Sequence, residues 1–209
     1  MAKEVAQSLK IIGLQRKKVK LSSFNPVWQK LYKKEAKFLC SAIGKYILDI
    51  QHVGSTSIPG AKAKPIIDIA IGVANLKNAE KCVKPLTQLG YEYKYNAGVR
   101  GRRFFAKGSE KNRTHYIHIV KLNGRVWGNY ILFRDYLRKH RAVVKEYNEL
   151  KEKLAKKYKN DRYTYTAKKD PFIKGIIKKS TELEKYEYNK NMNKTNKTCQ
   201  KISKIITRT

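Results

Sequence analysis

Apolar residues fall at two spacings along this chain, and the change between them divides it. Val27, Leu31, Phe38, Leu39, Ala42 and Ile43 recur at helical intervals after Asn25-Pro26, a capping residue followed by a proline suited to a first helical position. Gly44 marks the stop. Short apolar or β-branched runs follow at Tyr46 to Val53, Pro65 to Val73, Tyr91 to Tyr95, Arg102 to Ala106 and His115 to Val120. The second run is apolar almost throughout, which predicts a central strand buried on both faces. Between the runs, Asn78 to Leu89 predicts a helix that Pro85 kinks or shortens and Gly90 stops.

The helical interval returns at Phe133, Tyr136, Leu137, His140, Val143, Val144, Tyr147, Leu150, Leu154 and Tyr158, which predicts one long amphipathic helix. Phe172, Ile173, Ile176, Ile177 and Leu183 predict another, with Asp170-Pro171 at its start or at a kink. This order predicts an α+β fold: a small mixed β-sheet flanked by helices, with a helical C-terminal half. Residues 1–20 read as a basic N-terminal arm, 21–180 as the folded domain, and 181–209 as a disordered basic tail rich in Lys, Asn and Thr.

Charge changes the picture. The 209 residues suit one domain, but 48 Lys+Arg against 16 Asp+Glu give a net charge of +32. Such a field attracts nucleic acid, nucleotides and acidic membranes. The accompanying Asn, Ile and Tyr are also what an AT-rich gene encodes, so the charge establishes anion binding and not a function. Cys40, Cys82 and Cys199 are an odd, scattered set that fits a reducing compartment rather than a disulfide framework or a zinc site. With neither a signal-peptide pattern nor an apolar run long enough to span a membrane, a cytoplasmic protein is expected.

Candidate chemistry centres on residues 52–68. Gly54, Ser55, Thr56 and Ser57 combine a small residue, which lets backbone N–H groups approach an anion, with three hydroxyls that can donate to phosphate. Lys62 and Lys64 add charge nearby, and Arg100, Arg102 and Arg103 lie in a glycine-bounded segment suited either to clamping phosphate or to a solvated turn. Asp68 interrupts an apolar strand, where a carboxylate costs several kcal/mol unless paired, hydrogen-bonded or bound to metal. His52, His115 and His118 are candidates for metal ligation, proton transfer or phosphate contact, and equally for hydrogen-bonded structural roles. Arg134-Asp135 reads as a structural ion pair.

His52-Val53-Gly54-Ser55-Thr56-Ser57-Ile58-Pro59-Gly60 followed by Lys64-Pro65-Ile66-Ile67-Asp68-Ile69 resembles the hallmark of the GrpB family. Gly90-Tyr91-Glu92, Gly101 to Phe105, Arg113 to Val120, Phe133 to Arg138 and Tyr165 to Lys168 resemble further blocks of it, as does the opening Asn25 to Trp28. The resemblance covers roughly Leu21 to Ser180 and implies a nucleotidyltransferase-like fold. In working members of that larger superfamily the Gly-Ser turn holds nucleotide phosphates. An Asp-x-Asp pair on the next strand, with a third carboxylate on a neighbouring strand, holds two Mg²⁺.

Here the pair is Asp68-Ile69-Ala70, and His115 to Val120 carries no acid. The resemblance thus implies binding of a nucleoside triphosphate by Gly54, Ser55, Thr56, Ser57, Lys64, Arg102 and Arg103. Asp68, His118 and His52 are the catalytic candidates, and Asp68 with His118 would hold Mg²⁺ or Mn²⁺. Two functions remain open. One is transfer of a nucleotidyl group to an unknown acceptor. The other is a non-catalytic phosphate- or RNA-binding module that uses the basic surface and tail.

Overall fold

A computed structural model describes residues 11–206, with side chains for residues 11–186. The first helix, α1 (Val27–Ile43), is capped as its sequence predicts: Asn25 Oδ1 accepts the Val27 N–H at 2.9 Å. A short 3₁₀ turn at Gly44–Tyr46 delays the first strand, so β1 is Asp49–Val53 rather than beginning at Tyr46. A second 3₁₀ turn, Ser55–Ser57, leads towards β2 (Ile67–Val73).

The single helix expected over 78–89 is two, α2 (Leu76–Lys81) and α3 (Val83–Gln88). Asn75 caps the first by accepting the Asn78 N–H at 3.0 Å. The break falls at Cys82, next to Lys81, whose carbonyl would lie against the ring of Pro85 and find no N–H there in an unbroken helix. Then come β3 (Glu92–Tyr93), β4 (Arg102–Lys107) and β5 (His115–Lys121).

The five strands order as β1-β2-β5-β4-β3, with β2 and β5 parallel and the other pairs antiparallel. Alternation along the strands sends their side chains to two different layers. Ile67, Ile69 and Ile71 of β2, Ile117 and Ile119 of β5 and Phe105 of β4 form the main core with Trp28, Leu39, Ile43, Ala79 and Leu86 of α1–α3. The other face carries Asp68 and Ala70 of β2 with Tyr116, His118 and Val120 of β5. The expected α+β class, a small mixed sheet with helices and a helical C-terminal half, is the one observed.

That C-terminal half holds the largest departures from the periodic pattern. The long helix expected from Phe133 to Tyr158 is two helices, α4 (Arg125–Lys139) and α5 (Arg141–Lys157). They part at His140, whose ring stacks on Tyr136 at 3.9 Å and whose Nδ1 lies 2.7 Å from the Tyr136 carbonyl. The bend lets Phe133 and Leu137 of α4 and Val144 and Tyr147 of α5 close around Ile58 and Ala61 of the turn region. The last helix, α6 (Arg162–Ile206), begins earlier than its apolar pattern suggests, because Asp161 Oδ1 accepts the Thr164 N–H at 3.0 Å and caps it there.

The helix passes through Pro171 and continues into the segment expected to be a disordered tail. Part of the basic N-terminal arm is docked on the domain. Ile12, Leu14 and Val19 are buried, and Leu14 pairs with Arg113, so the apolar residues among the basic ones dock this strand-like segment beside the sheet. Residues 1–10 of the arm lie outside the described residues.

Candidate functional site

At the end of β1 the chain turns through Gly54 with φ 68° and ψ −175°, a conformation open essentially to glycine alone. The register pairs Val53 with Asp68, so this turn lies against the Asp68 side chain. Approach is close: a β-carbon on residue 54 would meet Asp68 Oδ2. The three hydroxyls have different fates. Ser57 Oγ donates to the Gly54 carbonyl at 2.7 Å, and Thr56 Oγ1 is held 3.0 Å from His52 Nε2. Ser55 alone keeps a hydroxyl with no partner among the described residues, and it is half-buried rather than enclosed.

His52 braces this turn. Its Nδ1 lies 2.9 Å from Gln29 Oε1 and its ring stacks on Tyr32 at 4.8 Å, tying the turn to α1. Burial drives its pKa down to about 4, so the ring is neutral near pH 7 with both nitrogens engaged. From the other side Arg138 donates to the Ser57 carbonyl at 2.8 and 3.0 Å. Arg134 pairs with Asp135 at 2.7 Å, as read from the sequence, and also donates to Gln51 and to the His52 carbonyl.

Asp68 keeps 31% of its side-chain surface open to solvent among crowding protein groups. Its Oδ1 lies 3.1 Å from His118 Nε2. The other ring nitrogen, Nδ1, lies 3.2 Å from Arg102 Nη1 and 3.2 Å from the Tyr130 hydroxyl. A guanidinium can only donate, so Nδ1 carries the lone pair and Nε2 carries the proton that goes to Asp68. Burial, and then the Arg102 charge, hold the His118 pKa below its ordinary value although Asp68 pulls it upward. Burial alone would raise the Asp68 pKa, but the His118 hydrogen bond and charge, with Lys64 and Arg162, turn the net shift downward. Asp68 is therefore an oriented carboxylate with one oxygen, Oδ2, directed at the turn.

The structure thus brings Gly54, Ser55, Thr56, Ser57, Asp68 and His118 together, with Lys64 close enough to act on Asp68 electrostatically. His52 stands behind the turn. Arg102 stands behind His118, its remaining donors taken by the Asn96 and Ala97 carbonyls. Arg103 is not brought to the site: the next residue on β4 faces the opposite way and pairs with Glu80. His115 also faces away, with Nδ1 at 3.1 Å from Thr114 Oγ1. Tyr130, Arg138 and Arg162 were missed from sequence, although Arg134 and Arg138 at i, i+4 share a helical face that could have pointed to one of them.

The donors fit a divalent cation only in part. Asp68 Oδ2 is the one protein donor that would be left for a Mg²⁺ or Mn²⁺, short of the six oxygen ligands such an ion prefers. His118 does not add a ligand as placed, since Nε2–H points at Asp68 and Nδ1 at Arg102. Among the described residues no group of three His, Cys, Asp or Glu side chains could hold a metal. Ala70, where a second carboxylate would stand, is fully buried with Val53, Val120 and Trp127.

A profile described as "GrpB protein" matches residues 18–179. The chain belongs to the GrpB family. Glutamate-rich protein GrpB of Alkalihalophilus pseudofirmus is 39% identical over 171 residues, spanning 80% of this chain and 98% of its own. The crystal structure of conserved protein GrpB from Enterococcus faecalis aligns with a TM-score of 0.72 at 34% identity, over 80% of this chain and 99% of that one. The structure of Cid1 in complex with its short product ApU aligns at a TM-score of 0.46 and 14% identity, a likeness too slight to bear on chemistry. The GrpB match covers every residue of the site just described and ends within α6. No helix among the described residues is long and apolar enough to cross a membrane.

Proposed function

We propose that this GrpB protein binds a nucleoside triphosphate, its phosphates at the Gly54–Ser57 turn and one Mg²⁺ or Mn²⁺ on Asp68, and transfers a nucleotidyl group to an acceptor. The observation that carries this reading is the pairing of Gly54 with Asp68. A glycine-only turn presses on a carboxylate that is fixed by His118 yet still open to solvent. No Lys or Arg lies within ion-pair distance of Asp68 among the described residues, and His118 is its one side-chain hydrogen-bond partner there. A bound divalent ion would screen the phosphate charge and polarise a phosphoryl oxygen. The Ser55 hydroxyl supplies a free donor at the turn, and His118 keeps Asp68 ionised and aimed.

A second reading is favoured by Ala70, at the position of the usual second carboxylate, and by β5, which carries no acid at all. On that reading the site binds phosphate without turnover, and the basic surface holds nucleic acid. Calorimetric titration of ATP, GTP, CTP and UTP, with and without Mg²⁺ or Mn²⁺, tests both. It belongs at several hundred millimolar salt, where the general attraction of a +32 protein is screened. Metal-dependent binding of a nucleotide that Asp68→Ala abolishes and Ser55→Ala weakens supports the first. Binding that disappears with salt and ignores both substitutions defeats it.

A further inference from the structure

Beside the turn, Lys64 and Arg162 both act on Asp68, and Lys169 shares the Tyr165 ring with Lys64. Lys64 Nζ lies 5.2 Å from the centroid of the Tyr165 ring, and Lys169 Nζ lies 4.8 Å from the same centroid. Arg162 donates to the Tyr116 hydroxyl at 2.6 Å, with its guanidinium 4.9 Å over that ring. Arg162, Tyr165 and Lys169 are spaced at i, i+3 and i+7, so one face of α6 presents both charges towards the Lys64 loop. Burial first, and then Arg162 and Lys169, force the Lys64 pKa well below its ordinary value, with Asp68 pulling the other way.

Several enclosed cations elsewhere are paired with a carboxylate, while buried Lys151 and Arg102 are held by carbonyl oxygens or, for Arg102, also by His118 and Tyr130. Arg113 pairs with Glu92, Arg134 with Asp135 and Lys107 with Glu35. No carboxylate among the described residues comes within ion-pair distance of Lys64, Arg162 or Lys169. Like charges gathered in a partly desolvated place repel one another, and an anionic ligand would relieve that repulsion. A single phosphate at the Gly54 turn carries too little charge to balance three such cations, whereas a chain of phosphates carries enough for all of them.

We propose that Lys64, Arg162 and Lys169 form a polyphosphate subsite, which holds the terminal phosphates of a nucleotide whose first phosphate sits at the Gly54–Ser57 turn. The site then selects nucleoside di- and triphosphates over monophosphates, and ligand binding fastens the start of α6 to the sheet. Arg162 offers a planar fork for two phosphate oxygens, and the lysines act as point charges. The proposal rests on the reading of the turn as a nucleotide site, but inorganic tripolyphosphate, which has no base or sugar, separates the two.

The experiment is calorimetry at several hundred millimolar salt with ATP, AMP and inorganic tripolyphosphate. Wild type is compared with Lys169→Ala, Arg162→Gln and a control, Lys174→Ala, an exposed residue of the same helix that pairs with Asp170. Affinity for ATP and tripolyphosphate is expected to fall at least tenfold in Lys169→Ala and Arg162→Gln, with AMP binding and Lys174→Ala unaffected. Thermal denaturation without ligand is expected to show Lys169→Ala as stable as wild type or more so, since repulsion is removed, while the ligand-induced shift is lost. ATP binding unchanged in both variants would overturn the subsite and leave the nucleotide reading standing. Tripolyphosphate binding that responds to the variants while no nucleotide binds would keep the subsite and overturn that reading. An equal loss in Lys174→Ala, or no binding of any probe, would overturn the subsite.

Discussion

Gly54 lies against the carboxylate of Asp68: a β-carbon at position 54 would stand 2.6 Å from Oδ2. Gly54→Ala therefore combines a collision with a backbone strain that L side chains rarely tolerate, and strain of that kind costs about 1–3 kcal/mol. Urea denaturation is expected to show at least that loss. In the double variant with Asp68→Ala the collision is relieved but the strain is not, so the two losses add to less than their sum. Wild-type stability in Gly54→Ala would mean that the turn can move away from Asp68.

His118 holds Asp68 through its Nε2–H, 3.1 Å from Oδ1. In His118→Phe the largest influence lowering the Asp68 pKa is gone, and only Lys64 and Arg162 are left to offset burial, which raises it. A carboxyl with a lowered folded-state pKa contributes stability above its unfolded value and loses it as pH falls through the folded one; the substitution moves that loss to higher pH. Carboxyl NMR titration of Asp68 is expected to show the upward shift. Divalent-ion affinity is expected to fall about 10- to 100-fold, as when the hydrogen-bond partner of a ligand is removed. An unmoved Asp68 titration would remove His118 from this role.

Two buried histidines set a pH limit on the fold. Burial drives His52 and His115 down to about 4 from an ordinary 6.5. Between those values the unfolded chain binds protons that the folded protein refuses, so stability is full above 6.5 and declines as pH falls towards 4. Each contributes up to roughly 3 kcal/mol of that decline. Urea midpoints measured from pH 7.5 to 4 should fall accordingly. His115→Leu should flatten the curve; near neutral pH it gives up the Nδ1 contact with Thr114, while Nε2 has no hydrogen-bond partner to lose. A slope unchanged by the substitution would place the titration elsewhere.

Much of the fold can be read from period and punctuation. Asn25-Pro26 caps α1, and the apolar run around Asp68 is the buried strand it was read to be. What could not be read depends on contacts distant in sequence. The apolar interval runs unbroken through His140, yet the chain bends there because α4 and α5 must both reach Ile58 and Ala61. Gly124 and Gly128 disguise the first turns of α4, where Tyr130 lies. At the site, Gly54, Ser55 and Asp68 were legible because their residue types are costly in a strand-turn-strand unless something is gained. Arg162 and Lys169 were not, since one lysine or arginine among 48 carries no local signal.

The absent second carboxylate is built into the packing. Ala70 lies two residues beyond Asp68 on the same face of β2, paired across to His118 and enclosed by Val53, Val120 and Trp127. Space there is short: a β-carbon on neighbouring Gly72 would come 2.7 Å from Leu122 and 3.1 Å from Trp127. An aspartate at 70 would enter an apolar cluster, and the nearby Arg102 already spends its donors on His118, Tyr130 and two carbonyls. Ala70→Asp is therefore expected to lose about 3–5 kcal/mol, the cost of an uncompensated buried charge, and to gain no second metal ion. Trp127→Ala, costly in itself because it empties a buried site, should cost less on the Ala70→Asp background, where it admits water beside the new carboxylate, than in wild type. Calorimetric stoichiometry of Mn²⁺ with nucleotide, run beside urea denaturation, decides the matter. A stable Ala70→Asp protein that binds two ions would mean that the metal apparatus is one substitution away rather than closed off by Trp127.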